Sequence, residues 1–102
     1  MLGRMWFVLQ YDYVDDYMER RGALRPAHFE VATGFFERGE LVLAGAYADP
    51  ADGATLIFQA ADRSVVEAFV AADPYVANGL VTSWRIREWT VVLGGDVEPP
   101  SF

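Results

Sequence analysis

Cysteine and lysine are both missing from this chain of 102 residues, and histidine occurs once. Without cysteine there is no disulfide scaffold, no thiolate-bound metal and no cysteine nucleophile. A single histidine is too few for the usual zinc site built by one chain, which takes several nitrogen or sulfur ligands, so no metal is expected. Positive charge is also scarce. Eight arginines face fifteen Asp and Glu residues, for a net charge of −7. Nucleic acid binding needs a basic stripe that releases counterions, and none is present. Long apolar runs are missing too. Met5 to Leu9, the longest run near the start, is too short for a signal-peptide core or a membrane span. The expected setting is cytoplasmic, with no membrane partner. No phosphate-binding loop appears, and Gly34 and Gly39 lack the preceding strand of a dinucleotide fingerprint. The Asp49–Asp52 turn lacks the spacing and closing glutamate of a calcium loop. No cofactor is expected.

What is present is core material: 53% of the residues are apolar and 23% charged. The length fits one domain, with a core over about residues 5–92 and a tail over 93–102. Met5–Tyr11 (MWFVLQY) reads as a strand, apolar on both alternating faces. Asp12–Leu24 is polar, has no clean stripe, and reads as a loop. Ala27–Arg38 reads as a helix, with Pro26 suited to its first turn and Gly39 to the residue past its end. Leu41–Tyr47 and Ala54–Ala60 read as strands joined by the turn chemistry of Asp49–Gly53. Ser64–Ala72 reads as a second helix, with Ser64 and Glu67 spaced as a capping box. Asp73-Pro74-Tyr75 stops it, because a residue before proline is pushed out of the helical region. A last strand runs from Val81 to about Val92. The tail, Gly94–Phe102, should lie over the surface or on a partner.

The order β-α-β-β-α-β predicts an α+β, ferredoxin-like subunit with both helices on one face of a four-stranded antiparallel sheet. Leu41, Val42 and Leu43, and Leu56, Ile57 and Phe58, put apolar groups on both sides of their strands. Two helices cover only one side, so the sequence predicts a homodimer with the two sheets face to face.

His28 lies near the middle of the apolar arc formed by Phe29, Val31, Ala32, Phe35 and Phe36. It is predicted to point toward the sheet from the first helical turn, where the helix dipole disfavours an imidazolium. A neutral imidazole there suits a general base, although a core histidine bonded to a backbone carbonyl fits the position as well. Asp73 ends a helix, against the dipole, and so calls for a partner, although Asp-Pro is also a common turn starter. Sequence spacing does not show whether the two meet. Arg25 suits an anionic or phenolic ligand, or a pairing with Asp15, Asp16 and Glu19. Tyr75 is a donor for a ligand oxygen or a turn filler. Ser83 shares a face of the last strand with Val81, Arg85, Arg87 and Trp89, which suits a pocket wall or a dimer rim.

The segments Leu24–Phe29 (LRPAHF), Gly39–Gly45 (GELVLAG) and Asp73–Leu80 (DPYVANGL) resemble those of YCII-related (YciI-like) proteins, and the likeness runs from about Met5 to Val92. It implies a dimeric α+β barrel with a pocket where His28 and Asp73 come together as catalytic residues. One kind of member is a dehydrochlorinase of a chlorinated hydroxyquinol. Phe29 stands where a leucine is usual. The resulting expectation is a cofactor-independent lyase or isomerase acting on a small aromatic or acidic molecule, with Arg25, Tyr75 and Ser83 as ligand-binding residues. A non-catalytic dimer that only holds such a ligand, or a regulatory one, remains the alternative.

Overall fold

The first strand, β1 (Met5–Tyr13), alternates cleanly: Phe7, Leu9, Tyr11 and Tyr13 are buried, while Trp6, Val8 and Gln10 are half-buried and Asp12 is exposed. The structure, a computed structural model, describes residues 4–97. After β1 come α1 (Tyr17–Glu37), β2 (Leu41–Ala46), β3 (Gly53–Ala60), α2 (Arg63–Ala72), α3 (Pro74–Ala77) and β4 (Val81–Trp89). The strands form one antiparallel sheet in the order β2-β3-β1-β4, the ferredoxin-like arrangement. β2 and β4 stop short of the Tyr47 and Val92 expected from pattern. No helix among the described residues is long and apolar enough to cross a membrane.

The core lies between the inner face of the sheet and the helices. Phe7 sits opposite Phe58, and Leu9 opposite both Leu56 and Ile86. From α2, Val66, Phe69 and Val70 are buried against them. Phe35, Phe58 and Phe69 meet edge to face, with ring centroids 5.2–6.4 Å apart. This geometry adds favourable quadrupole contact to the area buried.

Helix α1 is longer than the sequence pattern predicts. Residues Tyr17–Leu24, expected as loop, are helical, and Pro26 lies inside the helix rather than in its first turn. Met18, Glu19, Arg20, Arg21, Ala23 and Leu24 are all good helix formers. The stripe is missing because this half of the helix overhangs a cavity and not the core. Pro26 offers no N–H to the Gly22 carbonyl and crowds it. Gly22 has no neighbour within 4 Å of where a Cβ would stand, so the turn has room to adjust. At the far end Gly39 takes φ +77°, its N–H bonds the Phe36 carbonyl, and Glu40 N–H bonds the Phe35 carbonyl. That is a Schellman close, as the glycine suggested.

Two local expectations change. Asp62, not Ser64, caps α2: its carboxylate accepts the Ser64 N–H at 2.8 Å. Glu67 pairs with Arg63 at 3.3 Å rather than closing a box with Ser64. On β2 a bulge at Val42 shifts the register, so Leu41 faces Phe58 and Leu43 faces Ile57. Leu41 therefore enters the core while Leu43 sits on the far face, 69% exposed.

That far face is mixed rather than wholly apolar. Trp6 is flanked by Gln59 and Trp89, Val8 by Ile57 and Arg87, and Gln10 by Thr55 and Arg85. Gly95 (φ +60°) packs onto it: a Cβ there would stand 2.6 Å from the Trp6 ring. The rest of the expected tail, 98–102, lies outside the described residues.

Phe58→Ala should cost about 3–5 kcal/mol, because the ring is fully buried and the cavity left behind adds to the lost burial. Phe36→Ala, at a residue 61% exposed, should change stability by no more than about 0.5 kcal/mol. Urea denaturation of the two variants checks both values.

Candidate active site

Asp73 is the polar centre of the interior. The following Pro74 holds it in an extended conformation (φ −76°, ψ 117°), which ends α2. The same residue caps α3, with proline at the first helical position. Its carboxylate is completely buried and accepts three hydrogen bonds. Tyr75 N–H donates to Oδ1 at 3.0 Å, the Tyr11 hydroxyl donates to Oδ2 at 2.8 Å, and His28 Nδ1 lies 2.7 Å from Oδ1. The helix-end placement expected to oppose the charge is thus offset by the backbone donor of α3.

His28 lies in the middle of α1, not in a first turn, so the positive end of the helix does not act on it. A carboxylate only accepts, so Nδ1 carries a proton, and the tautomer this selects has its lone pair on Nε2. The ring stacks on Tyr75 at 3.8 Å, with the planes 1° apart. Its side chain is 13% exposed. No buried side-chain nitrogen or oxygen among the described residues lacks a partner. Nε2 has no hydrogen-bond partner among the described residues, so it is not sealed in the interior, and His28 lines the cavity.

The cavity measures about 230 Å³ and lies under α1, above the inner face of β1, β3 and β2. Its floor is small: Ala44, Gly45, Ala46 and Ala54. Its walls are aromatic, from Tyr11, Tyr13, Tyr17, Phe29 and Tyr75. Tyr13 and Tyr17 stack in parallel at 3.8 Å, and Tyr75 meets both edge-on. Burial pushes the Tyr11 phenol well above its ordinary range, and the Asp73 charge adds to this. Burial and the neighbouring Tyr17 do the same for Tyr13. Tyr75 is pushed up to about 12 by burial and Tyr17, with Arg25 and Arg21 acting in the opposite direction. The three phenols are hydrogen-bond donors at neutral pH. Among the described residues no group of His, Asp and Glu could hold a metal ion.

The family model of the YCII-related domain matches residues 5–90. The chain belongs to that family. No curated protein matches it in sequence. Among solved structures its fold is similar to that of the 5-chloro-2-hydroxyhydroquinone dehydrochlorinase TftG of Burkholderia phenoliruptrix, determined in complex with 2,5-dihydroxybenzoquinone. The TM-score is 0.73 at 19% identity, over 84% of this chain and 94% of that one. It is also similar to a variant of SnoaB, a cofactor-independent oxygenase of Streptomyces nogalater, with a TM-score of 0.53 at 13% identity, over 92% and 98% of the two chains.

Of the residues expected at a site of this YCII-family chain, the fold brings His28, Arg25 and Tyr75 to one cavity, with Asp73 buried behind the His28 ring. Arg25 does not pair with the acidic segment. Arg20 does, with Asp16 at 3.7 Å, while the Arg25 guanidinium lies over the Phe29 ring at 5.1 Å. Ser83 is not at the cavity. It pairs with Asp12 on the far face of the sheet, and its hydroxyl donates to Asp12 Oδ2 at 2.6 Å. Strand alternation groups Ser83 with Arg85 and Arg87 but does not say which group faces inward. Four cavity residues with polar side chains, Tyr11, Tyr13, Tyr17 and Arg21, are not among the site residues that the sequence singles out. Alternation from Phe7 and Leu9 carries Tyr11 and Tyr13 to the inner face. Tyr17, Arg21 and Arg25 follow at four-residue steps once α1 is extended.

Raised tyrosine pKa values make stability depend on pH. The native state keeps protons that unfolded tyrosines release near pH ~10, so stability is intact below that pH and falls as pH rises toward 12. Urea denaturation at pH 9, 10 and 11 should show the fall. Absorbance titration of the native protein should leave at least three of the five tyrosines un-ionised at pH 11.

Proposed function

We propose that this YCII-family protein is a small-molecule enzyme of the lyase or isomerase type in which His28 moves a proton and Asp73 orients it. The observation that carries this reading is the state of the His28 ring. Nδ1 is tied to a buried carboxylate, and Nε2 is free at the wall of a small aromatic cavity. This is the arrangement of a general base and its orienter. Nε2 takes a proton from a hydroxyl or acidic C–H of the bound molecule. The charge that forms on the imidazolium is shared with Asp73 through the Nδ1–H bond. The electron pair left on the substrate then expels a leaving group, as chloride in a dehydrochlorination. In an isomerisation it moves to a new carbon, and the imidazolium returns the proton there. The steps use the chain's own side chains. A volume of about 230 Å³ falls below the roughly 300–1,000 Å³ of sites for drug-sized ligands, which favours a single substituted ring. The likeness to TftG makes hydroxylated, halogenated six-membered rings the first class to test.

Chloride release and the ultraviolet spectrum of the quinone report turnover of a chlorinated hydroquinone series. His28→Gln should lower turnover by about 10²–10⁴-fold, as loss of a general base does, while changing binding much less. Asp73→Asn should cost less than that. Full activity in His28→Gln rejects the proton-transfer role, and saturable binding without turnover in the unaltered protein would leave a ligand-holding dimer.

We propose in addition that two copies pair through the far face of the sheet. Trp6, Val8, Ile57, Leu43 and Trp89 give that face apolar ground which no helix among the described residues covers. A stable pairing needs on the order of 1,600 Å². Light scattering should give a dimer mass at micromolar concentration, and Ile57→Arg should give a folded monomer. A monomeric unaltered protein rejects the pairing.

A further inference from the structure

The chain has eight arginines and a net charge of −7, so carboxylate partners are plentiful. Four arginines take one: Arg20 with Asp16, Arg38 with Glu40, Arg63 with Glu67 and Arg85 with Asp12, at 3.0–3.8 Å. Arg4 donates to the Gly39 carbonyl at 2.9 Å. Arg87 lies on the far face of the sheet. Arg21 and Arg25 have no carboxylate among the described residues, and both line the cavity of His28. They sit one helical turn apart, a like-charge spacing that disfavours the helix unless something answers it.

Both guanidiniums are placed by the cavity wall. Arg21 lies over the Tyr17 ring at 5.7 Å and Arg25 over the Phe29 ring at 5.1 Å. The positive charge of each also reaches the Tyr75 phenol, which stacks on His28. Arg21, Arg25 and His28 follow at i, i+4 and i+7 on one face of α1. Along the helix axis Arg25 is about 4.5 Å and Arg21 about 10.5 Å before His28. A planar guanidinium presents paired donors that match the two oxygens of a carboxylate. A neutral quinol leaves that match unused.

We infer that Arg21 and Arg25 form a carboxylate site, and that the molecule this cavity takes is a hydroxylated aromatic carboxylic acid. Its carboxylate lies on the two guanidiniums, its ring lies among Tyr17, Phe29 and Tyr75, and its hydroxyl points to His28 Nε2. Only the hydroxyl end rests on the proton-transfer reading above.

Calorimetric titration of the full chain with 2,5-dihydroxybenzoate and with hydroquinone compares the same ring and hydroxyls with and without the carboxylate. The benzoate should bind at least about tenfold tighter at low salt, with a preference that shrinks as salt is added. Arg21→Gln and Arg25→Gln should each reduce the preference, and the double variant should abolish it without weakening hydroquinone. Both sites are on the helix surface, and thermal melts of the variants report that they stay folded. Benzoate binding no tighter than hydroquinone, failure of the benzoate to bind, a preference that survives the double variant, or inorganic phosphate competing as well as the benzoate would each overturn the carboxylate site. His28→Gln should keep the preference. It therefore separates the two ideas, since lost turnover tests the base and retained discrimination tests the arginines.

Discussion

A carboxylate sealed away from water is the constraint on which the rest of this structure turns. Removing a charge from water costs several kcal/mol even after the protein relaxes. Asp73 is held there by three donors from three parts of the fold: β1 through Tyr11, α1 through His28, and the start of α3 through its own backbone. Tyr11 and His28 are 62 and 45 positions away in sequence. Neither helix can shift against the sheet without leaving the charge short of a partner. The same bonds that satisfy Asp73 fix the plane of the His28 ring and decide which of its nitrogens is free. Stability and chemical readiness therefore share one set of contacts.

Aromatic stacking completes what those bonds begin. His28 is clamped flat on Tyr75, and Tyr13 flat on Tyr17. The two stacked pairs meet through the edges of Tyr75. The cavity stays open because, apart from Leu56, the neighbouring strands put only the small residues Ala44, Gly45, Ala46 and Ala54 beneath this wall. The bulge at Val42 matters here, since it turns Ala44 and Ala46 inward opposite Leu56 and Ala54 and sends Leu43 to the far face.

The sheet was legible from alternation and turn residues, because its inner face is an ordinary core. His28 and Asp73 were legible as candidates, one as the sole histidine on an apolar arc and the other as a carboxylate before proline. Their contact is not legible from spacing, since nothing local encodes a meeting across 45 positions; only the family resemblance implies it. The first half of α1 escaped notice for a physical reason: a helix over a cavity needs no hydrophobic stripe, only good helix formers. Tyr11 was hidden the other way, because a buried phenol that donates to Asp73 follows the same alternation as Phe7 and Leu9. Ser83 shows the limit of parity, which sorts residues into two groups without naming the inner one. Asp62 displaced Ser64 as the cap because both fit the chemistry two residues apart.

Strand β1 belongs to two surfaces at once. Its odd positions build the core and carry the Tyr11 phenol that bonds Asp73, and its even positions form the middle of the opposite face. Adding or deleting one residue within it would exchange the two sets, sending Tyr11 outward and Gln10 or Asp12 into the interior. The connection between β2 and β3 carries no such alternation and is tied instead by single bonds, among them Tyr13 N–H to the Asp52 carbonyl at 2.8 Å. The interval from Phe7 to Tyr11 is thus a reading frame in space, open to exchange of side chains but closed to a change of length by one.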